Sequence, residues 1–344
     1  MEPMLETYND NSALQETCQT VGNAKLERMA IAYRNGAASD ELTGVRIADY
    51  GCSGGRNSYE PMRTMISALA NGGPGISAEC ILEDLPSNAW DQVMGVTQRL
   101  NRAFDGNVQI LCAGTSFYDP VCGAGTLDLA YSFVSVHFLS AAPPVGSHVM
   151  LHEGTPEERA AGEAQAARDW ERLLLLRARE LKKGGKMMLT TMSRDDAGYS
   201  WQQFSHLVWD SMREARARGT LTGQELEVLC IPACLRSEPE LMAPFCSGSE
   251  LGSLFAVDSL EFARTEIPGE REMPADTLAP HIRRRVEAVW GGMFLTQLRR
   301  LGRSPESASN AMREVWDAFE EKLLPDTSRG WLDMRCFYLQ VTRR

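Results

Sequence analysis

The stretch Ile47-Ala48-Asp49-Tyr50-Gly51-Cys52-Ser53-Gly54-Gly55-Arg56-Asn57 decides the fold. Val45, Ile47 and Ala48 lead into an acid and then into Gly51, Gly54 and Gly55, and a helix-compatible segment, Asn57 to Leu69, follows at once. That order predicts a strand, a tight glycine turn and a helix N-terminus, a geometry that lets backbone N–H groups approach a nucleoside cofactor. The spacing, D-x-G-x-x-x-G, lacks the third glycine of a dinucleotide turn and the lysine of a triphosphate loop. An acid just ahead of the first glycine suits a cofactor with a cationic amino-acid end. S-adenosylmethionine carries both an ammonium and a sulfonium.

Outward from that turn, strand-like and helix-like segments alternate, the pattern of a parallel sheet covered by helices. Val45–Tyr50, Ser77–Leu82, Val108–Ala113, Leu127–Phe138 and Lys186–Met192 read as strands. The fourth is apolar almost throughout, as a strand buried on both faces should be. Asn57–Leu69, Asn88–Phe104 and Ala160–Lys183 read as helices, the last stopped by Gly184-Gly185. After Arg194 the character changes: Trp201–Arg218, Gly223–Leu229, Ala279–Leu301 and Pro305–Leu324 look helical, and Glu250–Thr265 looks strand-bearing. Cys336–Thr342 closes the chain as an apolar strand. The expected organisation is a doubly wound α/β core over 1–194, a mostly helical lid over 195–329, and a final strand in 330–344 that returns to the core sheet.

Composition limits the function. The chain has 344 residues, 43% of them hydrophobic, enough for a large core. A net charge of −11 argues against a nucleic-acid partner. Met1 to Gln19 is polar and acidic, unlike a signal peptide, and no apolar run approaches the roughly 20 residues of a membrane span. Nine scattered cysteines without a C-x-x-C pair fit free thiols in a reducing cytoplasm and no metal site.

Ligands of doubly wound sheets sit at the carboxyl ends of the strands. The first strand ends in Asp49-Tyr50-Gly51. The second ends in Glu83-Asp84-Leu85-Pro86, placing an acid where a ribose diol needs acceptors. The third is followed by Gly114-Thr115-Ser116-Phe117-Tyr118, a hydroxyl and an aromatic suited to adenine, and the fourth carries Ser132 through Phe138 with His137 among them. Each residue also has an ordinary role: Asp84 as a helix cap, Phe117, Phe133 and Phe138 as core, His137 as a satisfied core histidine. Trp209, Trp290 and Trp316 read as packing, and Arg283-Arg284-Arg285 as a solvated helix face. The conjunction at successive strand ends points to an adenosine-cofactor site.

In order and spacing the chain resembles the SABATH methyltransferases, which methylate small carboxylic acids and, in the caffeine branch, xanthine nitrogens. The likeness includes Tyr8…Asn11-Ser12…Gln15, Asp49-x-Gly51-Cys52-Ser53…Asn57 and Asp84-Leu85-Pro86-x-Asn88. It continues through Ser116-Phe117-Tyr118, Leu139-Ser140…Pro143, Leu176-Arg177-Ala178-Arg179-Glu180-Leu181, Ile231-Pro232, Arg283…Glu287 and Val341-Thr342-Arg343. It implies a class I methyltransferase fold, Rossmann-like with a lid, S-adenosylmethionine as cofactor, a small-molecule acid as substrate, and a homodimer. Tyr8, Ser12, Asp49, Gly51, Asn57, Asp84, Leu85, Ser116 and Phe117 match its cofactor positions. Gln15 matches a carboxylate-binding residue, and Trp201 an aromatic that walls the substrate pocket.

Two departures matter. The family usually has a tryptophan where this chain has Phe138, and phenylalanine cannot supply that residue's N–H donor. Val134 replaces a usual aromatic. His137 stands where carboxyl methyltransferases tend to have methionine and some N-methyltransferases have histidine. The favoured reaction is methyl ester formation on a small apolar or aromatic acid, with Gln15 and His137 orienting it and Phe138 and Trp201 as walls. Two alternatives stay open: methylation of a heteroaromatic ring with His137 as base, and a catalytically silent cofactor-binding partner.

Overall fold

The protein is represented by a computed structural model, and the structure describes residues 13–36, 44–70, 76–142, 145–324 and 332–344. Tyr8, Asn11, Ser12 and Pro143 lie outside the described residues.

Five strands alternate with helices as their apolar runs predict: β1 (Gly44–Tyr50), β2 (Ser77–Asp84), β3 (Val108–Gly114), β4 (Leu127–Phe133) and β5 (Leu181–Met192). Between and before them lie α1 (Ala13–Gly36), α2 (Tyr59–Ala70), α3 (Trp90–Ala103) and α4 (Pro156–Glu180). A two-residue hairpin, β6 (Arg194–Asp195) with β7 (Gly198–Tyr199), leads into α5 (Gln202–Ala217). The short helices α6 (Gly223–Leu226), α7 (Glu238–Met242) and α8 (Glu250–Leu254) follow. The chain then runs through β8 (Phe255–Thr265), α9 (Ala275–Arg300), α10 (Pro305–Leu323) and β9 (Met334–Arg343). The seven-stranded sheet has the order β3-β2-β1-β4-β5-β9-β8. All its strands run parallel except β9, which is antiparallel to both β5 and β8. The order reverses between β1 and β4, so the crevice of this sheet opens at their carboxyl ends.

Several boundaries differ from the sequence reading, each for a local reason. The fourth strand stops at Phe133 rather than Phe138, because Val134 adopts a left-handed backbone (φ 55°) and turns the chain. His137 therefore sits in a turn beyond the sheet. The helix expected over 160–183 starts a turn earlier, at a capping box of Thr155 and Glu158 with Pro156 in its first turn. It ends at Glu180, and Lys182 through Gly185 belong to β5. The N-terminal arm contains a 24-residue helix, α1, that its weak apolar pattern hides. Gly22 lets this helix lie close on the sheet: a Cβ there would fall 2.3 Å from the Phe133 ring. Of the region expected as a lid, the described residues 195–324 are mostly helical, yet β8 pairs with β9 along the core sheet. Arg285, expected on a solvated face, is buried against buried Glu270, with Nη1 2.6 Å from Oε1.

Among the described residues no helix is long and apolar enough to cross a membrane.

Candidate active site

The strand registers align the predicted residues along one edge of the sheet. Asp49 stands opposite Tyr131, Tyr50 opposite Glu83, and Asp84 opposite Gly114. Gly51 then turns the chain at φ 80°. A Cβ on Gly51 would lie 2.4 Å from Ser135 Oγ, so only glycine fits between the two strand ends. Its N–H donates to Glu83 Oε2 at 3.0 Å, and the Ser132 and Ser135 hydroxyls both reach the Tyr50 carbonyl.

The second strand end clamps this turn. Asp84 Oδ2 accepts from Ser53 N (2.7 Å), Asp84 Oδ1 from Leu85 N (2.8 Å), and Asn88 Nδ2 donates to the Ser53 carbonyl (2.7 Å). The motif Asp84-Leu85-Pro86-x-Asn88 is thus the brace of the glycine turn as well as a run of candidate contacts. A buried ionic pair secures the third strand end. Arg177 donates to the carbonyls of Phe117 (2.9 Å) and Asp119 (3.1 Å) and pairs with Glu180, which also accepts from Tyr50 Oη (2.8 Å) and Val121 N (2.7 Å). The run Leu176 to Leu181 therefore carries the residues that fix Phe117 beside Tyr50 and Gly51. Ser116 Oγ accepts from Tyr118 N, tightening the same loop.

Two cavities meet at this edge and share Gln15. The first, about 370 Å³, is polar and lined by Gln15, Gln19, Asp49, Gly51, Asn57 and Phe133 among others. Gln19 Nε2 donates to the Asn57 carbonyl at 2.6 Å, so α1 is tied to the glycine turn. Asp49 is buried and accepts from Tyr131 Oη at 2.9 Å. Burial pushes its pKa up to about 7, with the charge of Asp84 adding to the rise and the Ser58 and Tyr131 hydrogen bonds opposing it. An acid so placed favours a cation beside it. The cavity thus brings Asp49, Gly51, Asn57 and Gln15 together. Asp84, Leu85, Ser116 and Phe117 stand outside its lining, on the adjoining strand ends.

The second cavity, about 430 Å³, is apolar apart from Gln15, His137 and Ser200. His137, Phe138 and Trp201 line it as expected. Trp290 joins them, its ring 5.4 Å from Trp201, so the residue read as packing both packs and walls the chamber. The turn 134–139 is held outside the sheet by hydrogen bonds from Val134 N to Thr190 O, Cys234 N to His137 O and Leu139 N to Pro232 O. The segment 231–235 in turn reaches the Val149 carbonyl through Ile231 N. Val134, Met150, Met192, Ile231, Ala233, Leu235 and Val289 complete the walls, and sequence reasoning missed all of these but Val134, since nothing separates them from ordinary core residues. Burial, with the charge of Arg236, pushes His137 down to about 3, so its ring is neutral.

A doubly wound sheet with one inverted strand, a glycine turn at its switch point and an apolar chamber beside it define a class I methyltransferase. The fold matches that of a solved loganic acid methyltransferase with SAH, at a TM-score of 0.82 over 100% of this chain and 99% of that one, with 17% identity. In sequence the chain is 26% identical to indole-3-acetate O-methyltransferase 1 of Oryza sativa subsp. japonica over 73% of this chain and 70% of that protein. It is 24% identical to the salicylate/benzoate carboxyl methyltransferase of Arabidopsis thaliana over 80% of each. The family described as SAM dependent carboxyl methyltransferase matches residues 5–298. The chain belongs to that family, an S-adenosylmethionine-dependent methyltransferase as its strand ends imply.

Proposed function

We propose that this enzyme converts the carboxylate of a small, largely apolar or aromatic acid to its methyl ester. The observation that carries the reading is the apolar chamber joined to the polar cavity at a single buried amide, Gln15. The relatives named for indole-3-acetate, salicylate, benzoate and jasmonic acid support the same substrate class.

The polar cavity fits the cofactor: a glycine-only turn leaves room for close approach, and among the described residues no cation pairs with buried Asp49. Asp49, Gly51 and Asn57 would hold its amino-acid end, with Asp84 and Leu85 at the ribose and Ser116 and Phe117 at the adenine. Tyr8 and Ser12, outside the described residues, belong to the same proposal. When bound, S-adenosylmethionine supplies an electrophilic methyl group. The carboxylate is ionised at neutral pH and needs no general base. Catalysis then lies in alignment and exclusion of water. Gln15 orients the acid, neutral His137 supports it as an N–H tautomer, and Phe138 and Trp201 wall it. Helices α5, α9 and α10 serve as the lid.

Ring methylation is the second reading, and it asks His137 to take a proton. A histidine held near pKa 3 is a poor base at neutral pH, which favours the acid. Nine free thiols suit a cytoplasmic location, and the homodimer implied by the family resemblance would appear in the mass of the purified enzyme.

A screen with methyl-labelled S-adenosylmethionine tests the reading on benzoate, indole-3-acetate, cinnamate and terpenoid acids beside xanthines and phenols. Base-labile product on an acid is expected. Base-stable product would move the reaction to a ring, and no transfer despite cofactor binding would favour a silent partner. In His137→Ala, an acid methylator loses mainly affinity for the acid, by roughly tenfold for one lost hydrogen bond. A ring methylator loses turnover instead, recovering at higher pH.

A further inference from the structure

The chamber has a donor problem. Phe138 occupies the position from which the resemblance expects an indole N–H, its ring cannot donate, and its backbone N–H already donates to the Ser135 carbonyl at 3.1 Å. An ionised carboxylate accepts hydrogen bonds and donates none, so a chamber built for it needs donors. Among the described residues, no lysine or arginine lines the cavity. The Ser200 hydroxyl is engaged elsewhere, donating to the Arg335 carbonyl at 2.8 Å and accepting from Arg335 N at 2.9 Å.

Three lining residues carry a buried polar atom without a partner: Gln15 Oε1, His137 Nδ1 and Trp201 Nε1. Native proteins pair nearly all such atoms, and a buried indole N–H usually finds an acceptor. Leaving one unpaired costs about 1–3 kcal/mol. An amide can turn either its oxygen or its NH₂ toward a ligand, and a neutral imidazole nitrogen donates in one tautomer only. The indole N–H has no such latitude: it donates only, so any ligand group that meets it must be an acceptor.

The backbone supports the same conclusion. Trp201 holds a left-handed conformation, φ 64° and ψ 21°, at the N-cap of α5, where a bulky side chain is strained. Ser200, one residue earlier, anchors it to the end of β5 by its bond from N to the Ser193 carbonyl. Edge contacts to Trp290 at 5.4 Å and Phe204 at 5.9 Å fix the ring. A strained, braced tryptophan with a free donor is a pre-organised contact.

We propose that Trp201 Nε1 is a fixed hydrogen-bond donor to the substrate carboxylate, beside the Gln15 amide and the His137 N–H tautomer. The donor that the turn after β4 lacks is supplied from the N-cap of α5, on the lid side of the chamber. Trp201 is then a substrate-positioning residue as well as a wall. The inference rests on the carboxylate reading above and assigns the group that compensates for Phe138.

The substitution Trp201→Phe keeps an aromatic wall and removes the N–H together with the rest of the indole's five-membered ring. The measurement is calorimetric binding of benzoate and indole-3-acetate with S-adenosylhomocysteine present, beside KM and kcat for each acid. Expected is a 10- to 100-fold loss in acid affinity and a similar rise in KM, with kcat within a few-fold and S-adenosylhomocysteine affinity unchanged. Adding Phe138→Trp to that variant should recover part of the loss. A second readout needs no stable variant: in ¹⁵N-tryptophan-labelled wild-type enzyme, one indole N–H resonance should move downfield as acid is added. Unchanged acid affinity in Trp201→Phe, or indole resonances that all stay in place while acid binds, would overturn the assignment and leave the carboxylate reading intact. Base-stable product from the wild type would overturn both.

Discussion

The two cavities that meet at Gln15 are built in opposite ways. The polar one is built around a backbone turn at the end of β1, clamped by Asp84 and Asn88 through both the N–H and the carbonyl of Ser53, with Gln15 and Gln19 of α1 closing it. The apolar one is made of side chains gathered from α1, the turn after β4, the segments around Met150 and Ile231, the start of α5, and α9. A backbone cradle tolerates little change, because shifting it moves strand ends that the sheet fixes. A chamber walled by side chains can be reshaped one residue at a time. Chemistry common to a family belongs in the first, and choice of substrate in the second.

The sharpest way to break this contrast is Gly51→Ala. A left-handed alanine costs about 1–2 kcal/mol on its own, and the added Cβ drives into Ser135, which bonds the Tyr50 carbonyl. Cofactor affinity should fall on the order of 100-fold, the equivalent of about 2.7 kcal/mol, as read by calorimetry with S-adenosylhomocysteine. A variant that binds the cofactor normally would show the turn to be plastic and dissolve the distinction.

The same contrast explains what the sequence made readable. Strands β1 to β3 and the glycine turn follow from local pattern, since contiguous residues both form the element and face the ligand. Asp49 and Gly51 could be named for that reason. The turn at Val134 could not, because Phe133-Val134-Ser135-Val136-His137-Phe138 has the apolar content of a buried strand, and only the packing of 231–235 against it shows where the strand stops. Helix α1 was missed because few of its residues form a continuous apolar stripe, although it carries Gln15 to both cavities and Gln19 to the polar one. Trp290 and Met150 look like any other core residue until the fold brings them to a void.

Met150→Ala sharpens the comparison from the other side. Met150 is buried, reaches the chamber from a bridge to Ile231 and is not among the residues that line the polar cavity. Removing its side chain should shift kcat/KM toward bulkier acids by about tenfold, the discrimination that one or two methylenes provide. Stability should fall by about 2 kcal/mol, with the affinity for S-adenosylhomocysteine unchanged. The test is the ratio of kcat/KM for indole-3-butyrate and indole-3-acetate in the variant and the wild type. A parallel loss on both acids would mean that the chamber is as rigid as the cradle.

The smallest effect lies in the pH dependence of cofactor binding. Asp49 is held near pKa 7 chiefly by its burial, so in the free enzyme it is mostly neutral at pH 6 and half-ionised at pH 7. A cationic amino group binds the ionised form and stabilises it, so binding releases a proton and affinity falls as the pH drops. Between pH 6 and 7 the ionised fraction rises from about one tenth to about one half, and affinity should rise about fivefold. Proton release is read by calorimetry in buffers of different ionisation enthalpy. In Asp49→Asn the affinity should be weaker and flat over the same range, whereas substrate-side variants such as Met150→Ala should keep the wild-type slope. A flat wild-type profile would mean that the acid does not face the cation, and that the cradle recognises its ligand through backbone alone.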